Sequence, residues 1–308
     1  MALTWTFDDM PDQTGRTVVI TGATSGLGLV LTDQLARRGA DVIMAVRDVA
    51  KGNRVRASLT GRLEVREVDV ADLDSVRRFA EDLRSDGRAI DVLVNNAGTG
   101  AQARTLTRQG YESTFATNHL GAFALTGSVL DLFRPDRDPR VVAVGSNLYR
   151  WGSPRTDFED LTGERFAAGP VYVKSKVANL LFGAELDRRL RAAGSPVRSF
   201  LAHPGMAATP LNANPGKLGE RLLVGLMGAV FRRSAEAGAL PLAFAATDPR
   251  AETGVFLGPS ARKSDLRVHF EPLKRPADDE ALAARLWTLS EDATGVRYLD
   301  EVASGQRP

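Results

Sequence analysis

Six short runs of β-branched and aliphatic residues recur along the chain: Thr17–Thr21, Asp41–Val46, Leu63–Val68, Asp91–Asn95, Arg140–Gly145 and Val197–Ala202. Longer stretches with helical spacing lie between them. In Gly26–Arg38, Leu27, Val30, Leu31 and Leu35 fall on one face, and Leu73–Leu83 and Val177–Leu190 repeat the pattern. The runs are continuously apolar rather than alternating, which predicts strands buried on both faces. Strand–helix alternation repeated this often calls for right-handed crossovers and an α/β fold with a doubly wound parallel sheet.

The pattern breaks after Pro204. Pro204, Pro210 and Pro215 punctuate a loop, followed by apolar Leu222–Phe231, helical Ala235–Ala246 and a last amphipathic stretch, Asp278–Ser290. No linker composition separates these from what precedes them. The expectation is one domain over 1–308, with a small helical substrate lid at about 206–232 and a C-terminal extension at about 258–308.

Composition excludes several chemistries. The 308 residues contain no cysteine, which rules out disulfides, thiolate catalysis and Cys-based metal sites. His119, His203 and His269 are scattered without metal-ligand spacing, so no metal is expected. A net charge of +2 gives little support to nucleic-acid binding. The N-terminal segment, with Trp5, Asp8 and Asp9, does not read as a secretory signal, and Leu222–Phe231 is too short to span a bilayer. A soluble, cytoplasmic protein without membrane insertion is expected.

Immediately after the first apolar run comes Thr21-Gly22-Ala23-Thr24-Ser25-Gly26-Leu27-Gly28. Glycines at this spacing are weak evidence alone. Placed between a strand and a helix, they let backbone approach a pyrophosphate at a helix N-terminus, as in the Rossmann arrangement. Gly22, Thr24, Ser25, Gly26, Leu27 and Gly28 are therefore candidate dinucleotide contacts. The second run ends at Val46, where an NAD-binding unit usually carries Asp or Glu, and Arg47 follows. A guanidinium suits a 2′-phosphate, with Ser25 as a further donor, so NADP(H) is expected over NAD(H). With 34 Arg against six Lys, a plain surface arginine is the competing reading.

Tyr172 and Lys176 stand four residues apart and share a helix face. A free phenol, with a pKa of about 10, is a poor base at neutral pH. A nearby ammonium and a positive nicotinamide favour the phenolate, which then exchanges a proton with an alcohol or carbonyl oxygen. Ser146 follows the fifth run, at the sheet edge where ligands sit in open α/β folds, and its hydroxyl is placed to hold the reacting oxygen.

With Asp69-Val70, Asn95-Asn96-Ala97-Gly98, Thr117-Asn118-His119-Leu120-Gly121 and His203-Pro204-Gly205, these residues resemble the short-chain dehydrogenase/reductase family from about Thr14 to Gly295. Asp157–Leu161 and Arg285-Leu286-Trp287-Thr288-Leu289-Ser290-Glu291 resemble its retinol-dehydrogenase-like subgroup. The resemblance implies Tyr172 as catalytic acid/base and Ser146 as holder of the reacting oxygen. Lys176 would bind the nicotinamide ribose and lower the tyrosine pKa, and Asn118 would anchor a water that links Lys176 to solvent. Asp69 and Val70 would meet the adenine, and Asn96, Ala97 and Gly98 the adenosine ribose. Pro204, Gly205, Met206 and Thr209 would cradle the nicotinamide. It also implies a homo-oligomer, dimer or tetramer. Gly145 and Ala143 depart from a common serine and asparagine of the family.

Leu148, Tyr149 and Trp151, with the inner face of the lid, would line an apolar pocket, which implies a small hydrophobic carbonyl or alcohol substrate. A non-catalytic dinucleotide sensor or scaffold would keep the glycine turn but does not need the Tyr–Lys pair. A methyltransferase on a similar sheet likewise leaves that pair unexplained.

Overall fold

A computed structural model describes residues 1–153, 155–205, 234–260 and 267–299. Nine strands form one sheet: β1 (Ala2–Thr4), β2 (Thr17–Thr21), β3 (Asp41–Val46), β4 (Arg62–Glu67), β5 (Val92–Asn95), β6 (Arg140–Val144), β7 (Arg198–Ala202), β8 (Val255–Pro259) and β9 (Arg267–Pro272). Their order is β1-β9-β8-β7-β6-β5-β2-β3-β4. β2 through β8 run parallel to one another, and β9 runs antiparallel to both β8 and β1.

The predicted strands match β2 to β7 within a residue at each end. The reversal at β9 was not foreseen. Seven residues, 260–266, separate β8 from β9, and a parallel crossover needs a dozen or more, so the second strand must turn back. The chain's N-terminal segment closes that edge. β1 pairs with β9 through Ala2↔His269 and Thr4↔Arg267, and the next residue, Trp5, is fully buried, donating from Nε1 to Asp248 Oδ2 at 2.9 Å.

Helices cover both faces, because successive strand residues serve opposite cores. Val18, Ile20, Met44 and Val94 pack in one layer beneath α1 (Gly26–Arg37) and α7 (Ala235–Thr247). Val19, Ile43, Leu93 and Val141 pack in the other, beneath α3 (Leu73–Ser85), α5 (Gly121–Ser128) and α6 (Ala168–Ala192). Two further helices are α2 (Val49–Ala57) and the short α4 (Ser113–Phe115), and the last is α8 (Glu280–Thr294).

Local chemistry sets the ends of these helices. Asp72 caps α3 by accepting from Asp74 N at 3.1 Å, and Leu73, Val76, Phe79 and Leu83 form its buried stripe. Asp279 caps α8 by accepting from Leu282 N at 3.0 Å, and Gly295 ends it in the left-handed region at φ 70°. α6 begins nine residues before the predicted Val177, and Pro170 is tolerated in its first turn, where no intrahelical N–H bond is needed. Tyr172 and Lys176 therefore lie on one helix. The expected lid at 206–232 falls outside the described residues.

Candidate active site

The chain runs from β2 out to β3 and β4, then returns to β5 on the other side of β2. That reversal leaves a crevice at the C-terminal strand tips, the place where open α/β sheets bind ligands. A cavity of about 1250 Å³ occupies it. Every parallel strand from β2 to β7 contributes its tip: Gly22 after β2, Arg47 after β3, Asp69 and Val70 after β4, Asn96 to Gly98 after β5, Ser146 and Leu148 after β6, and Pro204 and Gly205 after β7.

The phosphate-binding turn has the required construction. Gly28 does not line the crevice, but a Cβ there would lie 2.4 Å from Gly22 O and 2.6 Å from Asn96 Nδ2. The bare glycine lets α1 start directly against the turn. Thr21 ties the turn to β5, its hydroxyl accepting from the amides of Asn96 (3.0 Å) and Ala97 (2.9 Å). Ser25 is the N-cap of α1, yet its hydroxyl makes no capping bond. It remains available to a ligand, together with the unpaired N–H groups of the first turn.

Arg47 is exposed at the crevice rim and has no ion-pair partner among the described residues. Sequence reasoning missed a second cation beside it. Lys51, in the first turn of α2, also lines this end. Asp48, between them in sequence, is committed to capping α2 by accepting from Lys51 N at 2.8 Å. The missed signal was spacing: a strand end followed at once by a capped helix brings residues 47 and 51 to the same mouth.

At the other end, Ser146, Tyr172 and Lys176 come together. Ser146 and Tyr172 line the same stretch of the crevice, and the Ser146 hydroxyl oxygen accepts from Leu148 N at 3.2 Å. Lys176 Nζ lies 5.6 Å from the Tyr172 ring centroid and donates to Val144 O at 3.4 Å. Asn118 is buried beside the crevice rather than in its wall. Its amide donates to Thr99 O and Ser175 Oγ, both at 2.9 Å, and its oxygen accepts from Thr99 N at 2.7 Å. Ser175 in turn donates to Tyr172 O at 2.7 Å.

Two expectations need correction. Burial pushes the Tyr172 phenol up to about 12, with Ser146 alone acting in the opposite direction, so the ammonium of Lys176 does not offset the burial. The same burial pushes Lys176 down to about 8. Tyr149, expected against substrate, is fully buried against Phe256 at 5.7 Å between ring centroids. The 3-10 turn Asn147–Trp151 rotates it into the core while leaving Leu148 and Trp151 on the crevice. Met206 and Thr209 lie outside the described residues.

The residues present fit a dinucleotide: a helix N-terminus with a free hydroxyl, two cations at one end of a long crevice, and a lysine–tyrosine pair at the other. A second cavity of about 560 Å³ adjoins the crevice, sharing Leu148, Trp151 and Tyr172 with it and adding Phe115, Val171 and Val173. Among the described residues no helix is long and apolar enough to cross a membrane.

A family model for short chain dehydrogenase matches residues 16–217. Mouse retinol dehydrogenase 14 is 36% identical over 301 residues, covering 92% of this chain and 86% of its own. Mouse polyprenol dehydrogenase is 37% identical over 297 residues, covering 93% and 86%. Among solved structures, an uncharacterised protein from Mycobacterium paratuberculosis is 41% identical, with a TM-score of 0.78 over 96% of this chain and 99% of that one. A protein from Beutenbergia cavernae, described as an NAD(P)-dependent gluconate 5-dehydrogenase and holding NADP at low occupancy, is 25% identical. Its TM-score is 0.57 over 76% of this chain and 90% of its own.

Proposed function

The chain belongs to the short-chain dehydrogenase/reductase family, and from that premise we propose an NADP(H)-dependent oxidoreductase acting on a small, largely apolar carbonyl or alcohol. The observation that carries this reading is the meeting of Tyr172, Ser146 and Lys176 where the glycine-turn crevice passes the second cavity. The bound dinucleotide supplies the hydride. All other work falls to the chain.

In the reducing direction Ser146 donates to the carbonyl oxygen and orients it, its own oxygen being anchored by Leu148 N. Tyr172, held as a phenol, gives that oxygen its proton. Lys176 holds the ribose end and returns a proton toward the phenol, with the Asn118 segment beside it. A phenol pushed upward in pKa suits proton donation and opposes the reverse step until the charge of the site changes.

The signs of the two shifts define a pH profile. Tyr172 stays protonated well beyond neutrality, and Lys176 loses its charge as pH rises through about 8. Carbonyl reduction is therefore expected to be level below that value and to fall above it. Measuring kcat/KM for reduction between about pH 6 and pH 10 checks this, and a level profile to the alkaline end contradicts it.

Arg47, Lys51 and the Ser25 hydroxyl support a 2′-phosphate at the adenosine end. Arg47→Ala is expected to lower the NADPH-over-NADH ratio of kcat/KM by about tenfold or more, and the Arg47→Ala/Lys51→Ala pair further. Equal turnover with both cofactors in the wild type ends the NADP assignment. One domain, a cytoplasmic location and a homo-oligomer complete the proposal.

The apolar walls of the second cavity favour a hydrocarbon-rich substrate, and the retinol and polyprenol in the mouse relatives' names are alcohols of that kind. The direct test follows NADPH oxidation against a panel of apolar aldehydes, ketones and quinones. Turnover of one or more members is the expected result, and a blank across the panel removes the reading.

A further inference from the structure

Asn118 stands in the middle of a π-helical turn, Ala116–Leu120, inserted between α4 and α5. Such a turn is wider than an α-turn, is rare, and is frequent at functional sites. Contacts from outside the turn help to fix its shape.

His119 is the residue that reaches out. It is fully buried, with ring centroids 5.1 Å from Phe115, 6.3 Å from Phe123 and 6.0 Å from Phe182. Its Nε2 lies 2.8 Å from Ser290 Oγ on α8. Ser290 spends its hydrogen on Leu286 O at 2.7 Å. The serine oxygen is therefore the acceptor, and His119 Nε2 carries the hydrogen. Nδ1 has no partner. Burial pushes the imidazole down to about 3, with Lys174 acting in the same direction, so the ring stays neutral in this single tautomer.

The rest of α8 braces the same place. Trp287 packs edge-on against Phe123 at 5.1 Å, and Tyr111, just before α4, donates from its hydroxyl to Ala293 O at 2.7 Å. The helix bearing Ser290 is the last described helix of the chain, and among the described residues its polar bond to the π-helical turn itself is the one to His119.

We propose that His119 and Ser290 are positioning residues, their hydrogen bond holding the widened turn so that Asn118 keeps its bonds to Thr99 and Ser175. Ser175 passes this constraint to the Tyr172 carbonyl, so the C-terminal helix sets the geometry of the proton-donating helix. The consequence for turnover rests on the proposed reductase reading; the consequence for Asn118 does not.

Three variants and two readouts test it. Ser290→Ala and His119→Phe remove the bond while keeping the packing, and His119→Gln keeps an N–H for Ser290. The first readout is hydrogen exchange at the Thr99 amide, which donates to Asn118 Oδ1 at 2.7 Å, referenced to the amides of β6. Protection at Thr99 is expected to fall about tenfold in Ser290→Ala and His119→Phe and to recover in His119→Gln. The second readout is steady-state kinetics. The same two variants are expected to lose about tenfold in kcat with KM for NADPH unchanged, and His119→Gln to recover most of it.

Lower thermal stability with Thr99 protection and kcat unchanged overturns the proposal. So does an equal loss of protection in β6, which marks a general loosening. If the wild type reduces no carbonyl, the reductase reading falls, and the exchange measurement alone decides the positioning role.

Discussion

Replacing Tyr172 by phenylalanine is expected to leave NADPH binding intact and to lower carbonyl turnover by about a thousandfold or more. The substitution removes one oxygen. The ring keeps its place on α6, the Ser175 bond to the Tyr172 carbonyl is untouched, and Lys176 still lies against the ring face. Ser146 keeps its anchor to Leu148 N. What disappears is the only phenol lining the crevice, and with it the proposed proton donor to the substrate oxygen. Titrating NADPH into the variant by fluorescence and measuring single-turnover reduction separates the two effects. Near-wild-type turnover ends the acid/base assignment, and loss of binding instead makes Tyr172 a cofactor contact.

The second large effect is expected at Gly28. An alanine Cβ there lands 2.4 Å from a backbone carbonyl oxygen, Gly22 O, and 2.6 Å from Asn96 Nδ2. Neither obstacle is a free-swinging side-chain end. The Asn96 amide is itself bound to Thr21 O at 2.8 Å. α1 must therefore back away from the turn, and its N-terminus leaves the position where it faces a phosphate. Overpacking of this kind costs about 1–3 kcal/mol. In a chain of this size that is a drop in Tm of several degrees, about 2–4 °C per kcal/mol. Dinucleotide affinity is expected to fall about a hundredfold, since a phosphate site depends on its donors being in place. Calorimetric titration with NADPH and a thermal melt measure both, and wild-type affinity in Gly28→Ala sinks the claim that this close approach builds the phosphate site.

The central sheet was readable because β2, β3, β5, β6 and β7 are buried on both faces, which forces short apolar runs, and their regular alternation with longer helical stretches marks them as strands. β1, β8 and β9 escaped for opposite reasons. β1 has three residues, too few for any period, and β8 ends in Gly258 and Pro259, residues that ordinarily mark turns. The Tyr172–Lys176 pair was legible from helical spacing alone. Tyr149 was misjudged because its nearness to Ser146 in sequence says nothing of the way a 3-10 turn points each side chain. Lys51 was overlooked although the spacing of strand end and capped helix carried it, whereas the His119–Ser290 bond was illegible because it joins two elements 171 positions apart.

The joining of β1 to β9 carries a consequence for how the molecule is made. A ribosome releases the N-terminal strand first, yet its partner is among the last strands to emerge, and Trp5 must wait for Asp248, 243 positions later. For most of translation this segment has nowhere to dock, so the clasp is a late event in biogenesis. The delay is cheap at equilibrium, because closure entropy grows only by about 0.6 kcal/mol per doubling of loop length. Clipping residues 1–5 would strip the outer rim of β9 and leave its backbone N–H and C=O groups open to a neighbouring molecule, an invitation to aggregate.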